Sequence, residues 1–569
     1  MGQLEVEFTG LRAGSGPVTL GQANVLEWIG VREQERSEVL CSFVPVPAGC
    51  GVEDVRASLA ILLARHEALR TTVEPGPPAT QTVRGSGRLV AELHEIDGAD
   101  VESVLRERIV ARRFDFGRDL PFRVAVATRD GVPYLAALAL SHLAGDFASI
   151  AMVREQFAGL LADPGARTVG PVGPQPVDQA GHERTPLARR TAEAALRYWD
   201  TQLRAMPQCV FSVPHQGPAG NREGHLRSRA AGLVLPALAA RTGAGHSTVL
   251  LAAFATLLGV RTGNPRGALV SICGNRFRPG MAGFVGTIAQ DALVPFELGA
   301  STESTVDTVV AGMRVATMSA YRHSQFEARR LYPVMDAIAA ERGTRFHRDC
   351  VFNDVGAHRE DRPVDATPPN LKDVVRALRD TTFQWLHRSS YPVACYLTVL
   401  RAGREVELTL YGDTRYLPDV EEFLRAIETL VIASAKRPVP VADVSKITGI
   451  RPVERGPDWV WLDSCWVDPA AVQALLDDVL DGRPSLVVAR PGRLTAYVAD
   501  PGRSLTPHQV HQRCVAALAG RYTAVAPSRY VICARAPGNP HDAGAWAAQP
   551  VVAQGSGRLV GKQRDVASH

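Results

Sequence analysis

Lysine is scarce in this chain: of 63 basic residues only Lys372, Lys436, Lys446 and Lys562 are not arginine. Paired cysteine motifs are absent. The nine cysteines (41, 50, 209, 273, 350, 395, 465, 514 and 533) stand singly. No CxxC spacing occurs, and histidines do not join cysteines at zinc-ligand spacing, so no metal site is expected. These thiols read as buried and free, in a reducing compartment. A strong charge imbalance is lacking as well. The formal charge is +4, which gives no reason to expect nucleic acid or a membrane surface as partner. The start, MGQLEVEFTG, has neither the basic lead nor the apolar centre of a signal peptide. The longest apolar run, TVLLAAFATLLGV (248–260), is too short to span a bilayer. Together these features predict a cytoplasmic protein. No short tandem repeat is present. GSGRL occurs at 85–89 and 555–559, but neither copy is followed by Lys-Ser/Thr, so no phosphate loop is implied.

What is present fits a globular body of several domains. The chain has 569 residues, 46% apolar and 21% charged. Gly/Pro-rich stretches at 163–181 and 435–458 read as linkers, and 551–569 reads as a tail. The expected segments are 1–175, 176–440, a linker at 441–457, 458–550, and the tail. Helical and strand periodicities mix in the first two. GVEDVRASLAILLARHEAL has helical spacing, and PFRVAVATRDGVPYLAALALSHL reads as strand, Asp-Gly turn, strand. HSTVLLAAFATLLGVRTG is a buried helix closed by Gly263, with Ser247 or Thr248 as its cap. The expected fold class is α/β (α+β).

LALSHLAGDFASIAM (138–152) carries the densest chemistry. His142 falls at the end of a buried strand, and an amphipathic helix follows. Asp146 precedes that helix, where a carboxylate caps free amides or forms half of a buried ion pair. Ser149 reads as a residue of the first turn. From the residues alone, His142 is either a general base facing a cleft or a satisfied, half-buried histidine.

The stretch resembles the HHxxxDG motif of peptide-synthetase condensation domains, relatives of chloramphenicol acetyltransferase. Ser141 stands at the first His, His142 at the second, Asp146 at the Asp and Phe147 at the Gly. RHEALRTTV (65–73), LGQANVLEW (20–28), RRFDFGRDLPFRVAV (112–126), RYWDTQL (197–203), GNRFRPGMAGFVGTIAQDALVPFEL (274–298) and SAYRHSQFE (319–327) resemble further family segments in the same order. The likeness spans about 15–440. It implies two acetyltransferase-like lobes in a V, with the active site in a tunnel at their junction. It also implies a partner carrier protein that supplies a phosphopantetheine-linked acyl group, with no cofactor bound covalently. His142 would be the catalytic residue. Asp146, with Ser141 and an arginine among Arg65, Arg70 and Arg276, would support its loop. Phe147, Ser149, Gln22 and Gln290 would line the substrate channel. The implied reaction is attack by an amine, or less readily a hydroxyl, on a carrier-bound thioester in natural-product assembly by a free-standing enzyme. Two rivals stand beside it: a noncatalytic carrier-binding scaffold and a coenzyme A-dependent acyltransferase. Phe147 either shapes the site for an unusual acceptor or turns into the core.

Residues 458–535 read as a small α+β unit. Their order, and the Tyr-x-x-x-x-Pro-Ser stretch from Tyr522 to Ser528, resemble the small subdomain of adenylating enzymes. An insertion, GNPHDAGAWAAQPVVAQG, then separates this piece from Gly-Lys at Lys562. The large nucleotide-binding core is lacking, so the piece is expected to be a relic or a docking surface.

Overall fold

A computed structural model describes residues 2–30, 39–98, 100–166, 173–299, 303–356, 369–386 and 391–558. Lys562 lies outside the described residues. They divide into two compact units. The first runs to Ala195 and includes Cys273–Gln290 and His323–Arg330; the second holds the rest.

In the first unit, five strands form one sheet in the order Gly2–Thr9, Ser86–Glu95, Phe122–Arg129, Val132–Ser141, Val39–Pro45. Only Ser86–Glu95 and Phe122–Arg129 run parallel. Residues Ala136–Ser141 of the fourth strand are all buried. Such a run, apolar on both faces, belongs to a strand covered on both sides. On one face Ala125, Ala127, Ala137 and Ala139 pack against Leu105 and Ile109 of helix Val101–Val110. On the other, Leu138 and Leu140 pack with Leu59 and Leu62 of helix Val52–Arg65 and Val153 and Phe157 of helix Phe147–Ala162. The Asp-Gly turn holds Asp130 and Gly131 at φ of 52° and 76°, the left-handed pair that a tight two-residue hairpin needs.

The second unit carries a seven-stranded sheet in the order Gln290–Glu297, Arg266–Cys273, Cys350–Asp354, Cys395–Ala402, Val406–Asp413, Asn221–Ser228, Thr382–Leu386. Helices Arg229–Thr242, His246–Thr262 and Val420–Lys436 belong to the same unit. Gly263 closes the second of these at φ 61°; its N-cap is Gly245, not Ser247 or Thr248. A smaller four-stranded sheet follows: Ser485–Arg490, Arg493–Ala499, Arg529–Cys533, Val551–Gly555.

The structure departs from the sequence-based boundaries in several places. Residues 176–195 fold with the first unit. There Arg12 bonds Asp178 at 2.6 Å, and the Leu20 amide donates to Glu183 at 2.7 Å. Part of the expected 163–181 linker is helix Pro176–Glu183, opened by a proline at its first turn. Finally, Val551–Gly555 is not tail. It pairs antiparallel with Arg529–Cys533, and the inserted segment before it supplies Trp546, fully buried beside Val531 and Cys533. Among the described residues all nine cysteines are free, no group of side chains suits a metal, and no single helix is long and apolar enough to cross a membrane.

Candidate active site

The site is built where strand Val132–Ser141 hands over to helix Phe147–Ala162. The Ser141 amide still belongs to the strand layer, donating to Pro121 O at 2.9 Å. Its carbonyl then accepts from Ala144 and Gly145, and its hydroxyl accepts from the Leu143 amide at 3.3 Å. Ser141 is thus a turn-forming residue, fully buried. A Cβ on Gly145 would lie 2.4 Å from Leu140 Cδ2 and 2.8 Å from Ser149 Cβ, so a side chain here would push into packed neighbours.

Asp146 caps the helix and forms a buried ion pair, so both structural roles read from the sequence occur together. Its Oδ1 accepts from the Ser149 amide at 3.1 Å and hydroxyl at 2.9 Å. Arg276 binds both carboxylate oxygens, at 2.7 and 2.8 Å, a bidentate geometry that arginine's planar fork favours. Burial pushes the Asp146 carboxyl up. The charge of Arg276 and the hydrogen bonds from Arg276 and Ser149 outweigh burial and hold it below the ordinary carboxylate value.

Arg276 comes from the 273–290 excursion, which folds with this unit. The other two arginines expected as possible partners lie elsewhere. Arg65 donates to Gln156 at 3.1 Å. Arg70 is fully buried and serves the carbonyls of Leu63, Arg12 and Arg84. Ser149 and Gln22, expected in the channel, are struts instead. Ser149 is fully buried, and its hydroxyl joins Asp146, Arg276 and Gly286. Gln22 spans Thr19, Gln81 and the Leu143 carbonyl. Gln290 is buried too and donates to Phe326 O at 2.7 Å. Phe147 does not turn into the core; it is 44% exposed at the first helical position.

His142 sits in the turn, half-buried. Burial is the main influence on its imidazole and lowers its pKa; the Asp146 charge pulls the other way without reversing the shift. The ring is therefore neutral at pH 7 and able to accept a proton. Its backbone carbonyl accepts a hydrogen bond from the hydroxyl of Thr287, a residue that sequence reasoning passed over. The next carbonyl, that of Leu143, is held by Gln22 at 3.2 Å. The carbonyl of Thr287 in turn accepts from Thr19 Oγ1 at 3.1 Å. A Cβ on Gly21 would meet that same carbonyl oxygen at 2.3 Å. The sequence signals for this clamp are the GFVGTIAQ segment, which carries Thr287, and LGQANVLEW, which carries Gly21 and Gln22.

Comparison with known proteins bears on family and fold. The Condensation domain profile matches residues 43–364. Chondramide synthase cmdD of Chondromyces crocatus is 25% identical over 300 residues, covering 49% of this chain and 8% of that protein. The chain thus spans only about 8% of the length of the curated relative it matches. Among solved structures, SgcC5 of Streptomyces globisporus superposes with a TM-score of 0.56 at 17% identity, covering 75% of this chain and all of that one. The X-domain from teicoplanin biosynthesis, in complex with OxyB, gives 0.56 at 17% identity, with 77% and 97% covered. The α/β fold with several sheets matches theirs, and with more than half of its length matched by the profile, the chain belongs to the condensation domain family.

Proposed function

We propose that the protein joins a carrier-tethered acyl thioester to an amine, or less readily a hydroxyl, in natural-product assembly. The observation that carries this reading is the placement of His142, set in a turn pinned on one side by Asp146–Arg276 and on the other by Thr287. The acceptor nitrogen attacks the thioester carbonyl while His142 takes its proton or orients its lone pair. The tetrahedral oxyanion then collapses, the C–S bond breaks, and the departing thiolate takes up a proton. The acyl group arrives on a phosphopantetheine arm belonging to the carrier, as substrate. Asp146 does no proton chemistry, because both of its oxygens are occupied. Phe147 puts a benzyl group where the motif has glycine, and on this reading it narrows the approach to His142 and favours a small acceptor. SgcC5 was solved with (R)-(-)-1-(2-naphthyl)-1,2-ethanediol, which supports including free alcohols among the acceptors to try.

A second reading, a binding scaffold, is favoured by the two altered motif positions, Ser141 and Phe147. It also has a counterpart in the X-domain structure with OxyB. One experiment separates the readings. Acyl-loaded carrier protein, and separately the acyl coenzyme A thioester, would be offered with a panel of amines and alcohols, and products read by mass spectrometry. The expected result is carrier-dependent product that falls on the order of a hundredfold or more in His142→Ala. Equal product from both proteins removes His142 from the mechanism. Product from the coenzyme A thioester alone makes the protein a coenzyme A-dependent acyltransferase. Carrier binding with no product from any acceptor makes it a scaffold.

A further inference from the structure

Helix Leu371–Arg379, LKDVVRALR, buries only one side. Val374 and Ala377 are covered, and the helix packs beside Arg229–Thr242. Leu371, Val375 and Leu378 are 54%, 47% and 38% exposed. Their spacing of four and three places them in one row along the helix. Lys372, Arg376 and Arg379 repeat the same spacing one position on, so a row of cations runs beside the apolar row. All three are exposed, and none has an ion pair among the described residues. That sets them apart in a unit where arginines such as Arg204, Arg241, Arg342 and Arg348 are all paired. Beyond the following turn, edge strand Thr382–Leu386 exposes Trp385 at 47%, with the Arg222 guanidinium 5.5 Å from its ring centre. Scattered exposed apolar residues need no explanation, but an apolar row with a parallel row of unpaired charge does.

We infer that this helix face docks a separate protein through an acidic amphipathic helix, whose apolar row meets Leu371, Val375 and Leu378 and whose carboxylates meet Lys372, Arg376 and Arg379. A nine-residue helix is about 14 Å long and offers far less than the roughly 800 Å² per partner of a stable complex. The docking is therefore brief and electrostatically steered, which suits a partner that delivers a group and leaves. Resting on the function proposed above, that partner is the carrier protein.

The test uses the full chain and the carrier protein of the same pathway. Carrier binding is measured by calorimetry at low and high salt. Turnover is measured with the acyl group on the carrier and, separately, on free pantetheine. In the K372E/R376E/R379E variant, binding and carrier-dependent turnover should fall about tenfold or more, and the wild type's salt dependence should largely vanish. Turnover of the free pantetheine thioester should be unchanged. Leu371→Ser/Leu378→Ser should weaken binding while leaving its salt dependence intact, which tests the apolar row separately. Carrier binding and turnover equal to wild type in both variants would overturn the docking face and leave the proposed reaction standing. A wild-type protein that neither binds nor uses the carrier would overturn both.

Discussion

Removing Arg276 should damage the first unit in a way that depends on pH. The Arg276 and Asp146 side chains are 6% and 4% exposed, so Arg276→Met leaves a carboxylate buried without its counter-charge. Breaking such a pair costs roughly 3–5 kcal/mol. For a unit of this size each kcal/mol lowers Tm by about 2–4 °C, so the calorimetric transition should drop by roughly 6–20 °C. In the wild type the Asp146 pKa lies below its unfolded value. Its stabilisation is present above the unfolded pKa and is lost as pH falls through the lowered folded one. In the variant the order reverses: with the counter-charge gone, burial is opposed by hydrogen bonds alone, chiefly those from Ser149, so the pKa rises and protonation relieves the buried charge. The deficit should therefore shrink between pH 7 and pH 5. Arg276→Met/Asp146→Asn should be more stable at pH 7 than Arg276→Met alone, by about 2 kcal/mol if the pair behaves as a coupled unit. A deficit under about 1 kcal/mol, or one indifferent to pH, would refute the argument.

Two further tests address the first unit. Thr287→Val keeps shape but removes the hydroxyl that holds the His142 carbonyl; turnover should fall about tenfold with KM unchanged, and Thr287→Ser should restore it, whereas wild-type turnover in the valine variant would dismiss Thr287 as a positioning residue. The Glu183 carboxyl is pushed up to about 7 by burial, which the Gln179 and Leu20 hydrogen bonds only partly offset. Its stabilisation is full below the unfolded value and lost as pH rises through about 7. The urea midpoint of the wild type should thus fall relative to Glu183→Gln between pH 5 and pH 8, and a constant difference would count against the shift.

How much of this was legible in the sequence depended on how local the physics is. The strand, the turn and the cap at Asp146 follow from apolar pattern and capping preference within about twenty residues. The choice among Arg65, Arg70 and Arg276 does not, because the pairing closes across 130 positions. Each arginine has a buried or partly buried polar role, so side-chain chemistry alone could not separate them. Gln22 and Ser149 were misplaced for a related reason. A polar residue facing a channel and a polar residue bracing a loop look alike in sequence; they differ only in which backbone atoms lie within hydrogen-bond reach. Nor could a linear cut between domains anticipate that 273–290 and 323–330 leave their neighbours and fold with the first unit.

The C-terminal piece carries that lesson furthest. Tyr522, which marked a likeness to adenylating enzymes, serves here as a seam within the second unit. Its ring stacks on Tyr416 at 4.8 Å and meets His347 at 4.9 Å. Its carbonyl accepts from Gln208 at 3.0 Å and from the Cys209 thiol at 3.2 Å. The Ala526 amide donates to Gly343 O at 2.8 Å, and the His511 imidazole bonds Ala340 O at 2.7 Å. Each of these groups is buried or partly buried, and separating the seam would exchange their bonds for bonds to water, a net loss of about 0.5–1.5 kcal/mol apiece. The stretch expected as a linker is pinned as well. The Arg455 guanidinium lies 5.7 Å from the Trp459 ring and 4.8 Å from that of Trp466, and donates to Ser212 O at 2.9 Å. The Val453 amide donates to Arg261 O. Proline and glycine mark where a chain stops being regular. Whether it is also loose is decided by the partners of its backbone, and here those partners are made.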